Sequence, residues 1–327
     1  MWIETELEKH MHQKLVEEFN EQIGTTYYSQ YNIAREYLVN NIFSYIATVE
    51  PSLTDHSDKH IENVLNNVWY LIQGDLHKFN AIELYLLCLS VLFHDSGNIN
   101  GREGHNKKIA DIYSDVVGTN SARLQEKRLV TMIVRAHCGK SKRNNPDTLT
   151  EVDEKASLFS REIKVREIAG IIRFADELAE GPQRTSDYLI KCGKIDEASL
   201  IYHKYASITE IYVGKNDGRI AITYNIEIPV TDIDLETLIR FVYKRIIKLD
   251  TERRYCKYYA PSLNNFKTTD VQINILDEGM DIADLPKIQL EDKYILSEES
   301  IEEMIYGRYP ELRIESIVQK IGGHTHE

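Results

Sequence analysis

The segment over residues 81–95, AIELYLLCLSVLFHD, constrains the fold more than any other part of the chain, because it is apolar almost all round. A helix without a polar face has to be covered by other elements on every side. The segment therefore predicts a helical bundle with this helix in the middle. The helix closes on a polar pair, His94-Asp95, at the end of the most apolar stretch in the sequence.

Amphipathic helices are predicted around this central one. Residues 54–73 carry apolar side chains at helical spacing from Ile61 to Ile72, with Thr54 or Asp55 as the cap. The same spacing predicts further helices over 105–117, 122–137 and 162–180, and one or two over 15–45. The first 190 residues therefore form one helical domain.

The periodicity changes after residue 190. Residues 206–213 and 219–228 flank the turn-rich pentapeptide 214–218, and the second run alternates apolar and polar side chains, which predicts a β-hairpin with one buried face. A helix over 233–250 or beyond, strands over 269–276 and 287–295 and a helix over about 297–306 follow. The fold class is therefore mainly α: a helical bundle over 1–190, followed by a small α+β domain over 191–327 that contains the hairpin.

Charge and composition exclude several classes of function. The 327 residues carry a net charge of −13, and residues 270–327 hold 14 acidic against 5 basic side chains. A chain this acidic disfavours long nucleic acid and membrane surfaces as partners, because both attract clustered Lys and Arg. No segment reaches the roughly 18–20 apolar residues of a membrane span. The polar N-terminus does not resemble a signal peptide, and the four scattered cysteines indicate reduced thiols, so we expect a cytoplasmic protein.

A basic stretch over residues 240–257 stands out in this acidic chain, with seven Lys and Arg against two acidic side chains. It could steer an anionic nucleotide towards the protein, or it could pair with the acidic residues after 270. Pairing is the favoured interpretation.

Titratable side chains fall on the apolar faces of several predicted helices. They are His60, the pair His94-Asp95, His105, His137 and Asp176. A single histidine on a helix is usually a core or capping residue. Several buried groups near helix ends need a common partner, because an unpaired buried charge costs several kcal/mol. A metal ion is the simplest partner, and a network of His–Asp hydrogen bonds is the alternative.

The order and flanks of these residues resemble the H…HD…D signature of the HD-domain metal-dependent phosphohydrolases. HIENV looks like the helix of the first ligand, LFHDSGN like the helix end with the HD pair, and RFADELA like the helix of the last Asp. The resemblance covers about residues 50–190 and implies an HD-type helical bundle. It also implies that four residues hold a divalent metal, namely His60, His94, Asp95 and Asp176.

The resemblance extends in part to a second ion. Members with two metals add histidines between the HD pair and the last Asp, where His105 and His137 lie. The HD-GYP phosphodiesterases have adjacent histidines near the place of His137, where this chain has His137-Cys138, and a Lys where it has the tripeptide Ser96-Gly97-Asn98. No GYP tripeptide follows. An HD-GYP assignment is therefore disfavoured, and one or two ions remain open.

The implied chemistry is hydrolysis by a metal-activated water, with Asp95 as both ligand and catalytic residue. Mixed His and Asp ligation suits Mn, Fe, Co or Ni better than Mg. His56 lies four residues before His60, which places it one helical turn earlier on the same face of the predicted helix. It resembles the leaving-group acid of cyclic-nucleotide phosphodiesterases; a helix-start cap is the alternative. Lys140 and Arg184 are the candidates for phosphate contact.

The sequence therefore predicts a metal-dependent phosphohydrolase, of phosphodiesterase or phosphatase type, that acts on a nucleotide or a related small phosphoester. The alternative is a regulatory module that binds metal and a nucleotide or protein partner without significant turnover. A homodimer is the default oligomeric state.

Overall fold

A computed structural model describes residues 2–102, 105, 108–137, 145–292 and 300–324. Contacts divide the chain into two units: Met1–Ala179 with Cys256–Asn264, and Glu180–Tyr255 with Asn265–Glu327. The boundaries expected from the sequence, 1–190 and 191–327, remain a prediction.

The first unit is built from helices. They are α1 (Glu6–Phe19), α2 (Glu21–Leu38), α3 (Ser44–Val49), α4 (Asp58–Ile72), α5 (Ala81–Phe93), α6 (Ile109–Val117), α7 (Leu124–Ala136) and α8 (Val165–Glu177). A short hairpin of β1 (Ala156–Leu158) and β2 (Arg161–Ile163) precedes α8. Every residue of α5 is buried, and α1, α2, α4, α7 and α8 pack against it. The expected central helix is therefore present.

The second unit combines helices with a small sheet. Its elements are α9 (Asp187–Lys191), α10 (Glu197–Ile208), β3 (Thr209–Gly214), β4 (Arg219–Glu227), α11 (Leu235–Tyr259), β5 (Thr268–Asp277), β6 (Met280–Asp281), β7 (Ile288–Glu291) and α12 (Ile314–His324). Strands β3 and β4 form the expected antiparallel hairpin, in which Ile220, Ile222, Tyr224 and Ile226 are buried. Strand β4 also pairs in parallel with β5, with α11 in the connection between them. The prediction of a mainly α chain with a β-hairpin near its C-terminal end is confirmed.

The basic helix α11 finds acidic partners inside the second unit. Arg253 is fully buried and binds Asp250 at 2.8 Å and Asp292 at 2.7 Å. Arg254 binds the other oxygen of Asp250 at 3.0 Å. These contacts support the interpretation that this stretch pairs with carboxylates, one of which lies after residue 270.

Within the described residues, no helix is both long enough and apolar enough to cross a bilayer.

Candidate metal centre

Helix ends bring the predicted ligands together. His60 lies in the first turn of α4, which Ser57 caps by accepting a hydrogen bond from the Lys59 N–H at 3.2 Å. His94 is the C-terminal cap of α5, Asp95 follows it, and Asp176 lies in the last turn of α8. The prediction that Thr54 or Asp55 caps this helix is wrong, because the cap is Ser57 and the helix begins at Asp58. The Asp55 carboxylate instead accepts hydrogen bonds from the backbone N–H and the hydroxyl of Ser57.

The four side chains of His60, His94, Asp95 and Asp176 converge on one point, with one ligand atom of each within 4.8 Å of the others. The Nε2 atoms of His60 and His94 face each other at 3.3 Å. Asp95 Oδ2 lies 3.5 Å from His60 Nε2 and 3.4 Å from His94 Nε2. Asp176 Oδ1 lies 3.3 Å from His60 Nε2. Two histidines and two carboxylates therefore surround a common centre.

The site is closed on one side and open on the other. Among the four residues, His60, His94 and Asp95 are buried, whereas the side chain of Asp176 keeps 26% of its surface exposed. Asp176 therefore gives the centre one side that solvent can reach. A catalytic metal site needs such an open side for water and substrate.

Backbone carbonyls fix the orientation of several imidazole rings. Nδ1 of His94 donates to the Val91 carbonyl at 2.7 Å, and Nδ1 of His105 donates to the Arg102 carbonyl at 3.0 Å. Nδ1 of His137 and of His56 also donate to carbonyls, those of Val134 and Thr54. A carbonyl oxygen only accepts, so each Nδ1 carries the proton and each Nε2 can offer a lone pair. This is the tautomer that a metal ligand needs.

The electrostatics of the centre favour charge on both residue types. Burial alone would raise the pKa of Asp95, but the neighbouring His94 and His56 hold it well below its usual range. Burial would likewise raise the pKa of Asp176, but hydrogen bonds from His60 and His94 hold it well below its usual range. Burial would lower the pKa of His94, and the Asp95 and Asp176 carboxylates raise it well above 6.5 instead. Both carboxylates are therefore ionised, and in the metal-free protein a proton on His94 Nε2 balances part of their charge, in the place that a bound cation would take.

A second group of ligand atoms adjoins the first. Asp95, His105 and His137 also place their ligand atoms within 4.8 Å of one another, and His137 Nε2 lies 3.8 Å from Asp95 Oδ1. Gly97 allows this arrangement, because a Cβ at that position would lie 2.0 Å from the His105 carbonyl oxygen. The sequence placed both histidines near the site, and the structure brings them to Asp95.

His56 reaches the site, although not by the expected helical geometry. It precedes the start of α4, so it is not one turn of the same helix before His60. Its ring centroid nevertheless lies 5.3 Å from that of His60, and its Nε2 lies 3.6 Å from Asp95 Oδ2. His56 does not belong to either group of converging ligand atoms. It lies beside the centre, where a proton donor rather than a ligand would stand.

The two candidates for phosphate contact are not brought to the centre by any described contact. Lys140 lies outside the described residues. Arg184 lies in the second unit, where it ends the short 3-10 helix Pro182–Arg184 and is buried. Both assignments remain predictions.

Supporting side chains were not anticipated from the sequence. Asn67 Nδ2 on α4 donates to the Ala175 carbonyl at 3.0 Å, directly before Asp176. Arg173 Nη1 and Thr148 Oγ1 both donate to the Ala136 carbonyl, directly before His137. Of these three side chains, only Arg173 could have been noticed in the sequence. It is a charged residue within the apolar run IIRFA, three positions before Asp176.

The donor set fits a divalent cation. Neutral imidazole nitrogen and ionised carboxylate are ligands of divalent transition metals, so the Nε2 atoms of His60 and His94 together with the two carboxylates form a suitable donor set. Nδ1 of His60 is buried and has no hydrogen-bond partner among the described residues. Among the described residues, no backbone carbonyl therefore sets the tautomer of His60, in contrast to that of His94.

Comparison with models of protein families gives a match. The family model described as HD-CE matches residues 50–248, more than half of the chain, and this range includes all of the converging ligands. No curated protein matches the chain.

Proposed function

The chain belongs to the HD-CE family, and from this membership together with the His–Asp centre we propose that it is a metal-dependent phosphohydrolase. The substrate is a small phosphoester, with a nucleotide as the first candidate. The observation that carries the proposal is the convergence of one ligand atom each from His60, His94, Asp95 and Asp176. An HD-type domain with such a centre is compatible with hydrolysis.

Four residues would hold the first ion: His60, His94, Asp95 and Asp176. A bound divalent ion supplies a Lewis acid for the phosphoryl oxygen and lowers the pKa of a coordinated water toward neutrality. The mixed nitrogen and oxygen donors favour Mn, Fe, Co or Ni over Mg. With Asp95 shared, His105 and His137 would hold a second ion.

His56 is the candidate acid for the leaving group. The Thr54 carbonyl holds its Nδ1, so the ring is fixed with Nε2 directed towards Asp95, 3.6 Å away. As an acid, His56 would be the imidazolium, with one proton on Nδ1 donated to the Thr54 carbonyl and a second on Nε2 beside the Asp95 carboxylate. The Nε2 proton would pass to the departing oxygen and leave the neutral ring with its proton on Nδ1.

Charge distribution supports a small substrate. The net charge of −13 disfavours long nucleic acid, but most of it lies after residue 270, outside the part of the chain that carries the ligands. The part of the chain that carries the ligands is therefore not strongly acidic and does not strongly repel a small phosphoester. Phosphate contacts from Lys140 and Arg184, and assembly into a homodimer, are part of the same proposal.

The test is hydrolysis by protein that is purified anaerobically and loaded with Mn, Fe, Co or Ni. Nucleoside triphosphates, phosphomonoesters and linear and cyclic phosphodiesters should be assayed by released phosphate or product. We expect turnover of at least one class, and Asp95→Asn should lower it below detection because the shared ligand charge is lost. Asp111→Asn, at an exposed carboxylate of α6, is the matched control and should retain full activity.

Turnover that is equal in Asp95→Asn and the wild type would overturn the assignment of the centre. Metal-loaded wild type without turnover on any class would favour a regulatory module that binds metal without hydrolysis.

A further inference from the structure

The carbonyl of Ala136 is held from two sides by side chains that play no part in the chemistry described above. Thr148 Oγ1 donates to it at 2.7 Å, and Arg173 Nη1 donates to it at 3.3 Å. The same Nη1 also donates to Thr148 Oγ1 at 2.7 Å. Both side chains are buried, so these three groups form a triangle of hydrogen bonds that is shielded from water.

The position of this carbonyl decides where His137 lies. The C=O of Ala136 and the N–H of His137 belong to one rigid peptide plane. His137 is the C-terminal cap of α7, where the last carbonyls lack partners within the helix and the backbone tends to fray. Holding the Ala136 oxygen therefore restrains the peptide plane and with it the Cα of His137, from which the imidazole side chain extends.

The triangle also connects two ligand-bearing helices. Arg173 lies on α8, three residues before Asp176, whereas His137 follows the end of α7. His137 Nε2 lies 3.8 Å from Asp95 Oδ1, and its ring is already fixed in tautomer by the Val134 carbonyl. The remaining freedom of His137 is the movement of the helix end itself, and that is what the triangle restrains.

We propose that Arg173 and Thr148 are positioning residues that hold His137 in place for a second metal ion at Asp95, His105 and His137. The inference rests on the metal-dependent function proposed above. Removal of such supporting hydrogen bonds typically weakens metal binding by about 10- to 100-fold. The ligands of the first ion do not include His137, so its affinity should change little.

The test is a titration of metal-free protein with Mn²⁺ or Co²⁺, followed by calorimetry and by elemental analysis of the loaded protein. Arg173→Met removes the guanidinium, and Thr148→Val removes the hydroxyl without a change of charge. Arg173→Lys should restore part of the affinity, because a single nitrogen of Arg173 makes both contacts. Arg166→Met is the matched control: Arg166 lies on the same helix and donates to the Val152 carbonyl at 3.0 and 2.9 Å, away from any ligand.

We expect wild type and Arg166→Met to bind two ions, whereas Arg173→Met and Thr148→Val bind the first ion normally and the second about 10- to 100-fold more weakly. Second-ion affinity in both variants equal to that of the wild type would overturn the proposal. Equal weakening of both ions would also overturn it, because that result indicates a general structural role. If Arg173→Met does not fold, Thr148→Val decides alone.

The titration separates this inference from the proposed function. A wild type that binds one ion and hydrolyses phosphoesters overturns the positioning role and leaves the function intact. A wild type that binds two ions without any hydrolysis overturns the function, while the comparison of variants still decides the positioning role.

Discussion

At the scale of single residues, the sequence identified the converging side chains but not their chemical state. His60, His94, Asp95 and Asp176 were recognisable because they lie on apolar faces, where an unpartnered polar group is costly. Their tautomers were not predictable. The proton on Nδ1 of His94 follows from a carbonyl three residues earlier, at a helix end whose geometry only the fold defines.

His56 offers a direct test of the chemistry. His56→Asn should lower the rate for substrates with poor leaving groups by about 10²- to 10⁴-fold, the range of a lost general acid. A p-nitrophenyl ester should be affected much less, because its leaving group departs without a proton. Metal content should stay at the wild-type value. Equal losses for both kinds of substrate, or loss of metal, would contradict a role as acid.

Glu126 on α7 illustrates a buried carboxylate outside the metal centre. It is fully buried, and it accepts hydrogen bonds from Arg123 Nη1 at 2.6 Å and from the hydroxyls of Tyr85 and Tyr113. Burial outweighs these bonds and raises the pKa of Glu126 above its usual 4.5. The folded protein therefore holds this proton more tightly than the unfolded chain does.

The sign of that shift sets a pH dependence. The contribution of Glu126 to stability is fully present below pH 4.5 and is lost as pH rises through the folded-state pKa. Glu126→Gln removes this titration. Urea unfolding at pH 5 and pH 7.5 should show the wild type gaining stability relative to Glu126→Gln at the lower pH. The raised pKa would be contradicted if the unfolding free energy of the wild type minus that of Glu126→Gln were the same at both pH values, or larger at pH 7.5.

At the scale of elements, α5 organises the first unit. Asn80 and Glu83 form a capping box at its start, and the other Glu83 oxygen accepts from the Lys164 N–H at 2.9 Å, immediately before α8. The apolar surface that predicted a central helix is covered all round. The two HD-pair residues follow directly, so the position of the centre depends on the packing of this one helix.

Truncation in α5 should therefore be costly. Leu86→Ala removes a fully buried side chain and should lower the free energy of unfolding by about 2–5 kcal/mol. Leu124→Ala on α7 is the matched control: that side chain is 56% exposed, so the loss should stay below about 0.5 kcal/mol. Chemical denaturation of both variants measures the difference. A similar small loss in both would indicate that α5 is not the packed centre.

At the scale of the whole molecule, local patterns predicted elements better than they predicted long-range pairing. Helices α4 to α8 and the hairpin of β3 and β4 follow from periodicity and turn residues, whereas α1 begins at Glu6, before the predicted helical segment 15–45. The parallel pairing of β4 with β5 did not, because it joins strands separated by the whole of α11. The small hairpin before α8 also escaped prediction. Its turn residues Phe159 and Ser160 adopt positive φ without the Gly or Asn that normally marks such a turn.

The same limit applies to the candidate site. Residue types and helical phase predicted which side chains meet, since both are local properties. The supporting contacts of Asn67, Thr148 and Arg173 are to carbonyls 12 to 108 positions away along the chain, so no local pattern reveals them.

Metal binding by His60, His94, Asp95 and Asp176 can be measured by elemental analysis of protein that is loaded anaerobically and then desalted. We expect at least one Mn, Fe, Co or Ni per wild-type chain, and close to none in Asp176→Ala that remains helical by circular dichroism. A wild type that retains no metal, or an Asp176→Ala variant that retains as much as the wild type, would contradict it.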